Sequence, residues 1–332
     1  MSKKYDVALL GYYGFKNLGD ELLLESIVAI LKESGVDSEQ MAVLSSSPEE
    51  TSNRLKLVSY NRWKLLSIAQ VLKSSRTLLL GGGGLFQDRT SVRSCFYYWL
   101  IIRLASVYGV KIWTVGQSIG PLGTTLGRWL TKNAFLHCAY RGVRDNRSRD
   151  ILANWGMSSE VSPDYVMAMK PSRCNGEGKE MLFNLRPGYR PLASEVLQWA
   201  LRYAKNKGLT LVPVALALED CEELKALFLE NGLIFDRITL VKSLPEFENI
   251  SKQACAAVGM RLHFLVLSLL SGLSVGAGVY DPKVASLCES FSIPDICKCD
   301  SLSAICDDNC LQRISDEVKV SLDKGLKAVL EA

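Results

Sequence analysis

Histidine is scarce in this sequence. Among 332 residues only His137 and His263 are present, which leaves few candidates for acid–base chemistry at neutral pH. A strong charge excess is also lacking, and the net charge of +4 argues against a nucleic-acid-binding protein while suiting an anionic substrate. With 48% hydrophobic and 22% charged residues, the composition is that of a globular protein with a large core.

Long hydrophobic runs are absent as well. The longest apolar stretch, residues 264–278, is interrupted by serine and glycine and is too short to cross a bilayer. Residues 1–6 lead directly into a predicted strand without the apolar core of a signal peptide. We therefore expect a cytoplasmic protein.

Paired Cys-x-x-Cys spacing, which many zinc sites use, is missing although the chain has ten cysteines. Cys138 and Cys255 lie singly in apolar runs and are expected to be small buried side chains. Five cysteines crowd residues 288–310 with no histidine nearby. A zinc site there is the alternative to free thiols in a reducing compartment, which we predict; we expect neither a metal nor another cofactor.

Short apolar runs alternate with longer stretches of helical periodicity, which is typical of parallel sheets covered by helices. The first half has predicted strands at residues 7–10, 77–80, 111–115 and 139–143 and helices at 21–33, 92–108, 125–136 and 147–155. The second half has predicted strands at residues 181–185, 209–214, 238–241, 256–259 and 274–278 and helices at 192–207, 220–230, 262–271 and 282–291.

A polar, glycine-bearing stretch at residues 170–180 indicates a linker between the two halves. We therefore predict an α/β protein with domains at residues 1–169 and 170–308 and a final helix at residues 309–332. Ligands of such sheets bind beyond the carboxyl ends of the strands, so two domains facing each other would enclose a cleft.

Glycine-bearing segments follow strands of the first domain. In residues 11–21 (GYYGFKNLGDE), Asp20 is either a helix N-cap or, with Asn17, a group that binds sugar hydroxyls. The segment is not G-x-G-x-x-G, so a nicotinamide cofactor gains no support. In residues 81–88 (GGGGLFQD), four glycines favour a close backbone approach by a ligand. The expected contacts there are Gly82, Gly83, Gln87 and Asp88.

Two arginines follow predicted strands, Arg144 in the first domain and Arg186 in the second. A guanidinium can bind a carboxylate or phosphate through two parallel hydrogen bonds. For Arg144, an ion pair with Asp145 or Asp164 is the structural alternative.

His263 is the candidate catalytic residue. It ends the segment GMRLH, where a strand gives way to a helix beside Arg261, whereas His137 is expected to be structural. In the segment YDPK, Asp281 suits a helix cap and places Lys283 in the first helical turn. Lysine is unfavourable at the positive end of a helix dipole, which indicates an anion nearby.

Together these segments resemble the polysaccharide pyruvyl transferase family. The resemblance covers residues 9–283 and rests on residues 17–21, 81–88, 143–145, 259–263 and 280–283. It implies two Rossmann-like domains facing across a cleft, similar to glycosyltransferases of type B, with the acceptor on the first domain and the donor on the second. It also implies transfer of pyruvate from phosphoenolpyruvate to a sugar as a ketal.

By the same resemblance, Arg144, His263 and Lys283 form the donor site and Arg261 assists them. The implied acceptor is an N-acetylmannosamine-type sugar on a lipid-linked precursor, with peripheral contact at the inner face of the membrane. Gly188 replaces the family's usual aromatic residue, which leaves one acceptor contact open. A nucleotide-sugar glycosyltransferase of the same fold and a non-catalytic sugar- or anion-binding protein are the rival interpretations.

Overall fold

The computed structural model describes residues 3–89, 91–174, 176–235 and 237–331. It contains two compact units, each with its own parallel sheet. The first unit comprises Met1–Phe15, Leu23–Ala168 and Ile314–Ala332, and the second comprises Lys16–Leu22 and Met169–Arg313. The start of the first long helix therefore belongs to the second unit.

The first unit has a seven-stranded sheet in the order β3-β2-β1-β4-β5-β6-β7, with every neighbouring pair parallel. Its strands are β1 (Tyr5–Leu10), β2 (Met41–Ser45), β3 (Val58–Asn61), β4 (Ser75–Phe86), β5 (Lys111–Ile119), β6 (Cys138–Val143) and β7 (Glu160–Val161). Its helices are α1 (Leu18–Glu33), α2 (Pro48–Leu55), α3 (Leu65–Ser74), α4 (Arg93–Val107), α5 (Thr125–Leu136) and α6 (Asn146–Asn154).

The second unit has a five-stranded parallel sheet in the order β10-β9-β8-β11-β12. Its strands are β8 (Glu180–Asn184), β9 (Thr210–Ala215), β10 (Thr239–Leu240), β11 (Ala254–Gly259) and β12 (Ser274–Ala277). The remaining helices are α7 (Arg190–Lys207), α8 (Leu218–Glu230), α9 (Leu244–Ser251), α10 (Leu262–Leu270), α11 (Pro282–Phe291) and α12 (Asp308–Leu330).

The central strands are apolar because helices cover both faces of each sheet. Strand β2 is buried along its whole length, and β8 is buried after its first residue. The C-terminal part of α12 adds to the first core, where Gly325 lies against the rings of Trp113 and Tyr140. No helix in the described part of the chain is both long and apolar enough to span a membrane.

The predicted strands and helices are present, but several further elements were not predicted. Residues 41–74 form two strands and two helices, and α9 was also not predicted. The prediction that the four glycines follow a strand was wrong, because β4 continues through them to Phe86.

Candidate functional site

The candidate site lies at the carboxyl edge of the second sheet, where the strand order reverses between β8 and β11. Such a reversal leaves a crevice that α/β proteins use for ligands. Asn184 ends β8 and Gly259 ends β11. The Asn184 side chain joins the neighbouring segments, since its amide donates to the Val214 carbonyl at 2.9 Å and its oxygen accepts from the Arg261 backbone N–H at 3.2 Å.

His263 is the second residue of α10 and its ring packs against the first turn of α1. A Cβ atom added to Gly19 would lie 2.0 Å from Nδ1 of His263, so only glycine fits this contact. The same turn is fixed to the second unit by a hydrogen bond from the Leu18 backbone N–H to the Leu216 carbonyl, at 3.1 Å. Gly19 was not predicted as a site residue, although it lies within the motif at residues 17–21.

Asp20 lies in the first turn of α1 rather than before it, so it is not the N-cap. Its carboxylate accepts a hydrogen bond from Nδ2 of Asn17 at 2.7 Å. Burial raises the pKa of Asp20 to about 6, although the charges of His263 and Lys283 oppose that shift. The side chain keeps some solvent access. Asp20 therefore titrates close to neutral pH within electrostatic reach of His263.

Arg261 is buried and its guanidinium binds two carboxylates. Nε donates to Oδ1 of Asp220 at 2.7 Å, and Nη2 donates to Asp220 and Glu219. Burial raises the pKa of Asp220, which is fully enclosed, while the charge of Arg261 opposes the shift. The ion pair fixes the turn that leads to His263. Asp220 carried no recognisable signal in the sequence.

Lys283 is the second residue of α11, and Asp281 caps this helix as predicted. The Lys283 backbone N–H donates to Oδ1 of Asp281 at 2.9 Å. The side chain of Lys283 contributes positive charge close enough to lower the pKa of Asp20. Nearby, the Arg186 guanidinium lies 5.7 Å from the ring centroid of Tyr280. The second unit thus combines His263, Asp20 and several cations.

Arg144 lies in the first unit and forms the ion pair that was the structural alternative for it. Its Nη1 donates to Oδ2 of Asp164 at 2.6 Å, and its Nε donates to the Ser118 hydroxyl at 3.0 Å. Asp145 instead caps α6 by accepting from the Ser148 backbone N–H at 2.7 Å. A donor contact by Arg144 stays a prediction.

At Gly81 and Gly82, protein side chains make the close approach that was predicted for a ligand. A Cβ atom at Gly81 would lie 2.4 Å from the Tyr13 hydroxyl oxygen, and one at Gly82 would lie 2.9 Å from Leu23. The Tyr13 hydroxyl donates to the Gly81 carbonyl at 3.1 Å. At Gly83, a φ of +88° itself favours glycine. Packing and backbone conformation therefore account for these glycines.

Asp88 and Gln87 form hydrogen bonds with nearby backbone groups of the first unit. The Asp88 carboxylate accepts from the backbone N–H groups of Gly123 and Thr124 at 2.6 and 2.8 Å. Although burial opposes it, these bonds and the Thr124 hydroxyl hold the pKa of Asp88 below its usual value. Gln87 Oε1 accepts from the Arg89 backbone N–H at 3.1 Å. Both side chains organise loops of the first unit.

The cysteines of residues 288–310 differ in exposure. Cys288 is buried, whereas Cys299 is exposed. Across residues 3–89, 91–174, 176–235 and 237–331, no group of three or more His, Cys, Asp or Glu side chains is placed to hold a metal ion.

Solved structures of other proteins share this fold. A glycosyltransferase from Rickettsia africae matches with a TM-score of 0.57 and 11% identity, over 100% of this chain and 99% of that chain. A UDP-GlcNAc 2-epimerase from Methanocaldococcus jannaschii, in complex with UDP-GlcNAc and UDP, matches with a TM-score of 0.54 and 11% identity, over 93% of this chain and 97% of that chain. The S. aureus MnaA–UDP co-structure matches with 0.54 and 12%, over 96% of each chain. These likenesses confirm the predicted fold of glycosyltransferase type B.

The family comparison identifies the chain more closely than the fold does. No curated protein matches the sequence. The family model of the polysaccharide pyruvyl transferases matches residues 17–275. That range begins at Asn17 and includes Asp20, Arg261 and His263, which the structure gathers in the second unit. This chain therefore belongs to the polysaccharide pyruvyl transferase family.

Proposed function

We propose that this chain transfers the pyruvyl group of phosphoenolpyruvate to a sugar, forming a pyruvate ketal and releasing phosphate. The observation that carries the proposal is the arrangement of His263, Asp20 and Lys283 near the starts of α10, α1 and α11. Helix N-termini and a lysine favour an anionic donor. A histidine beside a carboxyl group whose pKa is raised to about 6 suits proton transfer.

The proposed reaction balances without a metal or redox partner. A proton adds to the methylene carbon of phosphoenolpyruvate, and positive charge develops on the central carbon. One sugar hydroxyl adds to that carbon and loses its proton. The bond to phosphate then breaks, a second hydroxyl adds, and its proton leaves with phosphate. The products are a ketal bearing a methyl group and a carboxylate, together with inorganic phosphate.

In this scheme His263 supplies and accepts protons, and Asp20 sets its charge. An ionised Asp20 stabilises the protonated imidazole, whereas a bound donor dianion raises the pKa of Asp20 and brings a proton into the site. Gly19 leaves room for the imidazole ring, because a side chain there would displace it. Proton transfer by a positioned group of this kind contributes on the order of 10²–10⁴ in rate.

The cations have separate parts in the proposal. Lys283 and Arg186 bind the carboxylate and phosphate of the donor, and Arg144 stays a proposed donor contact. Arg261 carries less uncompensated charge, because Asp220 and Glu219 already bind its guanidinium. Its main task is to position the turn before His263.

The proposed acceptor is an N-acetylmannosamine-type sugar on a lipid-linked cell-wall or exopolysaccharide precursor. Support comes from the family resemblance in the motifs at residues 17–21 and 259–263. Asn17 is the proposed contact to acceptor hydroxyls, because its amide already orients the Asp20 carboxylate.

The test is to incubate the protein with phosphoenolpyruvate and a panel of N-acetylhexosamine acceptors, measuring phosphate release and product mass. We expect acceptor-dependent release and a mass gain matching a pyruvate ketal. Running the reaction in D₂O should place one deuterium in the product methyl group. Turnover of a UDP-sugar with release of UDP, and no use of phosphoenolpyruvate, would favour the rival glycosyltransferase.

A further inference from the structure

Charge is distributed very unevenly along this chain. Residues 51–144 contain fourteen lysines and arginines but a single acidic residue, Asp88. That carboxylate is buried and accepts hydrogen bonds from Gly123 and Thr124. The whole chain carries a net charge of only +4, so this stretch of the sequence is far more cationic than the chain as a whole. Ion pairs with carboxylates outside the stretch are formed by Arg54, Arg76 and Arg144.

The same region exposes large apolar side chains on three helices or beside them. Before and within α3, Trp63 is 57% exposed and Leu66 is 87% exposed. On α4, Phe96 is 50% exposed and Leu100 is 39% exposed, and on α5 Trp129 is 53% exposed. Large apolar side chains exposed together are unusual on a soluble monomer, and a patch of them marks an interaction site.

Ring contacts link the exposed rings of this surface to their aromatic neighbours. Trp99 lies between Phe96 and Trp129, with ring centroids 5.7 and 5.8 Å away. Tyr97, next to Phe96 in α4, lies 5.4 Å from Trp63. We call the surface formed by Trp63, Leu66, Phe96, Leu100 and Trp129 the aromatic face.

A buried arginine packs against the rings at one end of the aromatic face. The buried guanidinium of Arg62 lies 5.2 Å from the Trp63 ring and 4.6 Å from the Tyr97 ring. Arg62 is 2% exposed and also donates to the Gly11 carbonyl and, at 3.2 Å, to the Tyr98 hydroxyl. Contacts with the buried Arg62 therefore support the Trp63 and Tyr97 rings from the core side.

Exposed cations alternate with these apolar groups. On α4, Arg93, Phe96, Leu100 and Arg103 recur at intervals of three or four residues, which places them on one side of a helix. Exposed Lys64, Arg128 and Lys132 add further charge around the rings. Tryptophan and tyrosine favour the boundary between lipid and water, and neighbouring lysines and arginines bind anionic headgroups.

We infer that the aromatic face docks this protein reversibly on the surface of an anionic lipid bilayer. The inference rests on both the cations and the exposed apolar side chains. Cations alone would also suit a nucleic acid, but binding to a nucleic acid would not require Leu66 and Leu100 to be exposed. The inference assigns a surface of the molecule to the peripheral membrane contact that the family resemblance implies, and it holds whichever group the enzyme transfers.

The test is flotation of the full-length protein with phosphatidylcholine vesicles, with and without phosphatidylglycerol. We expect binding that requires phosphatidylglycerol and weakens at high salt. The double variant R93Q/R128Q should lower the partition coefficient by about 25-fold, since each near-surface cation contributes about fivefold. F96S/W129S should lower it by about tenfold or more. The matched controls in the second unit, Arg202→Gln and Leu229→Ser, are also exposed and should bind as wild type does.

Three results would overturn the inference. The first is a wild-type protein that binds neither vesicle, or binds both equally. The second is vesicle binding that both double variants retain while their melting temperatures stay at the wild-type value. The third is a protein that forms dimers through the aromatic face, seen as loss of the dimer in F96S/W129S, without any vesicle binding. Turnover of a water-soluble acceptor should be the same in wild type and variants, because these side chains lie outside the proposed active site.

Discussion

The two units share the same strand order around the point where each sheet reverses, yet they use that point differently. In the first unit, the buried Tyr13 ring occupies the space that Gly11 and Gly81 leave open. In the second, the His263 ring lies against Gly19, and ionisable groups surround it. A glycine at the edge of a sheet thus indicates that another group, such as a side chain or a ligand, approaches the backbone closely. The chemistry of the approaching group decides whether the place is structural or functional.

The carboxylates of the two units show the same contrast. Hydrogen bonds to Gly123 and Thr124 hold the pKa of Asp88 below 3.8, whereas burial raises the pKa of Asp20 to about 6. The first arrangement stabilises the folded chain at neutral pH, and the second destabilises it. A destabilising group that persists beside a histidine and a lysine is typical of an active site.

The two histidines give the largest expected difference between the units. His263→Ala should lower kcat by about 10²–10⁴-fold, because a positioned acid or base is lost. His137→Ala, in the first unit, should leave kcat within about twofold, since a group outside the active site contributes nothing to transition-state stabilisation. Steady-state phosphate release measures both. Equal loss in the two variants would show that histidine removal acts through folding.

A pair of glycine substitutions sharpens the comparison. Gly19→Ala should push the His263 ring aside and lower kcat by about 100-fold, because a displacement near 1 Å costs that much. Gly81→Ala should instead destabilise folding by about 1–3 kcal/mol through overpacking against Tyr13. Thermal melting and kcat are measured for both variants. The control is Gly84→Ala, because a Cβ atom there meets nothing within 4 Å. A Gly19→Ala enzyme with normal turnover would separate His263 from the chemistry.

Replacing Asp20, the carboxyl group whose pKa is raised, tests the comparison in the second unit. Asp20→Asn should stabilise the protein by about 1–2 kcal/mol above pH 6, after allowance for remaining solvent access. The raised pKa means that the folded state favours the protonated form. Wild type therefore loses stability relative to the variant as pH rises between 3.8 and about 6. Melting temperatures across that range measure the effect, and a pH-independent difference would contradict it.

Asp88, the carboxyl group of the first unit whose pKa is lowered, should give the opposite dependence of stability on pH. Asp88→Asn should destabilise the protein by about 1 kcal/mol near pH 7, because charged hydrogen bonds to Gly123 and Thr124 are weakened. The advantage of wild type should be complete above pH 3.8 and disappear as pH falls further, through the lowered pKa. Melting curves of the two proteins at falling pH provide the comparison.

Local sequence signals predicted much of the fold. The helix at residues 125–136 matched α5, whose N-terminus is fixed by the Thr124 cap, and the Asp281–Pro282 pair located the start of α11. Helix α2 and strand β3 were missed because their sequence signals are weak. Helix α2 is mostly polar, and β3 is only partly buried, with Val58 41% exposed. Pattern methods depend on a buried face that these elements hardly have.

The site was harder to predict than the fold, because its contacts join distant parts of the chain. His263 and Lys283 were identifiable from strand-end and helix-start chemistry. The contact of Gly19 with His263, and the binding of Arg261 by Asp220, depend on tertiary packing alone. Gly81 and Gly82 show the limit most clearly, since the sequence cannot distinguish the side chains of Tyr13 and Leu23 from a ligand as the groups that approach them.

The most direct test of the central claim is titration of the protein with phosphoenolpyruvate by calorimetry. We expect wild type to bind the donor and Lys283→Gln to weaken binding by about tenfold or more, because a charge-assisted contact is lost. Lys207→Gln, an exposed lysine at the end of α7, should bind as wild type does. Failure of wild type to bind phosphoenolpyruvate, or equal affinity in Lys283→Gln, would contradict the assignment of the donor site to the second unit.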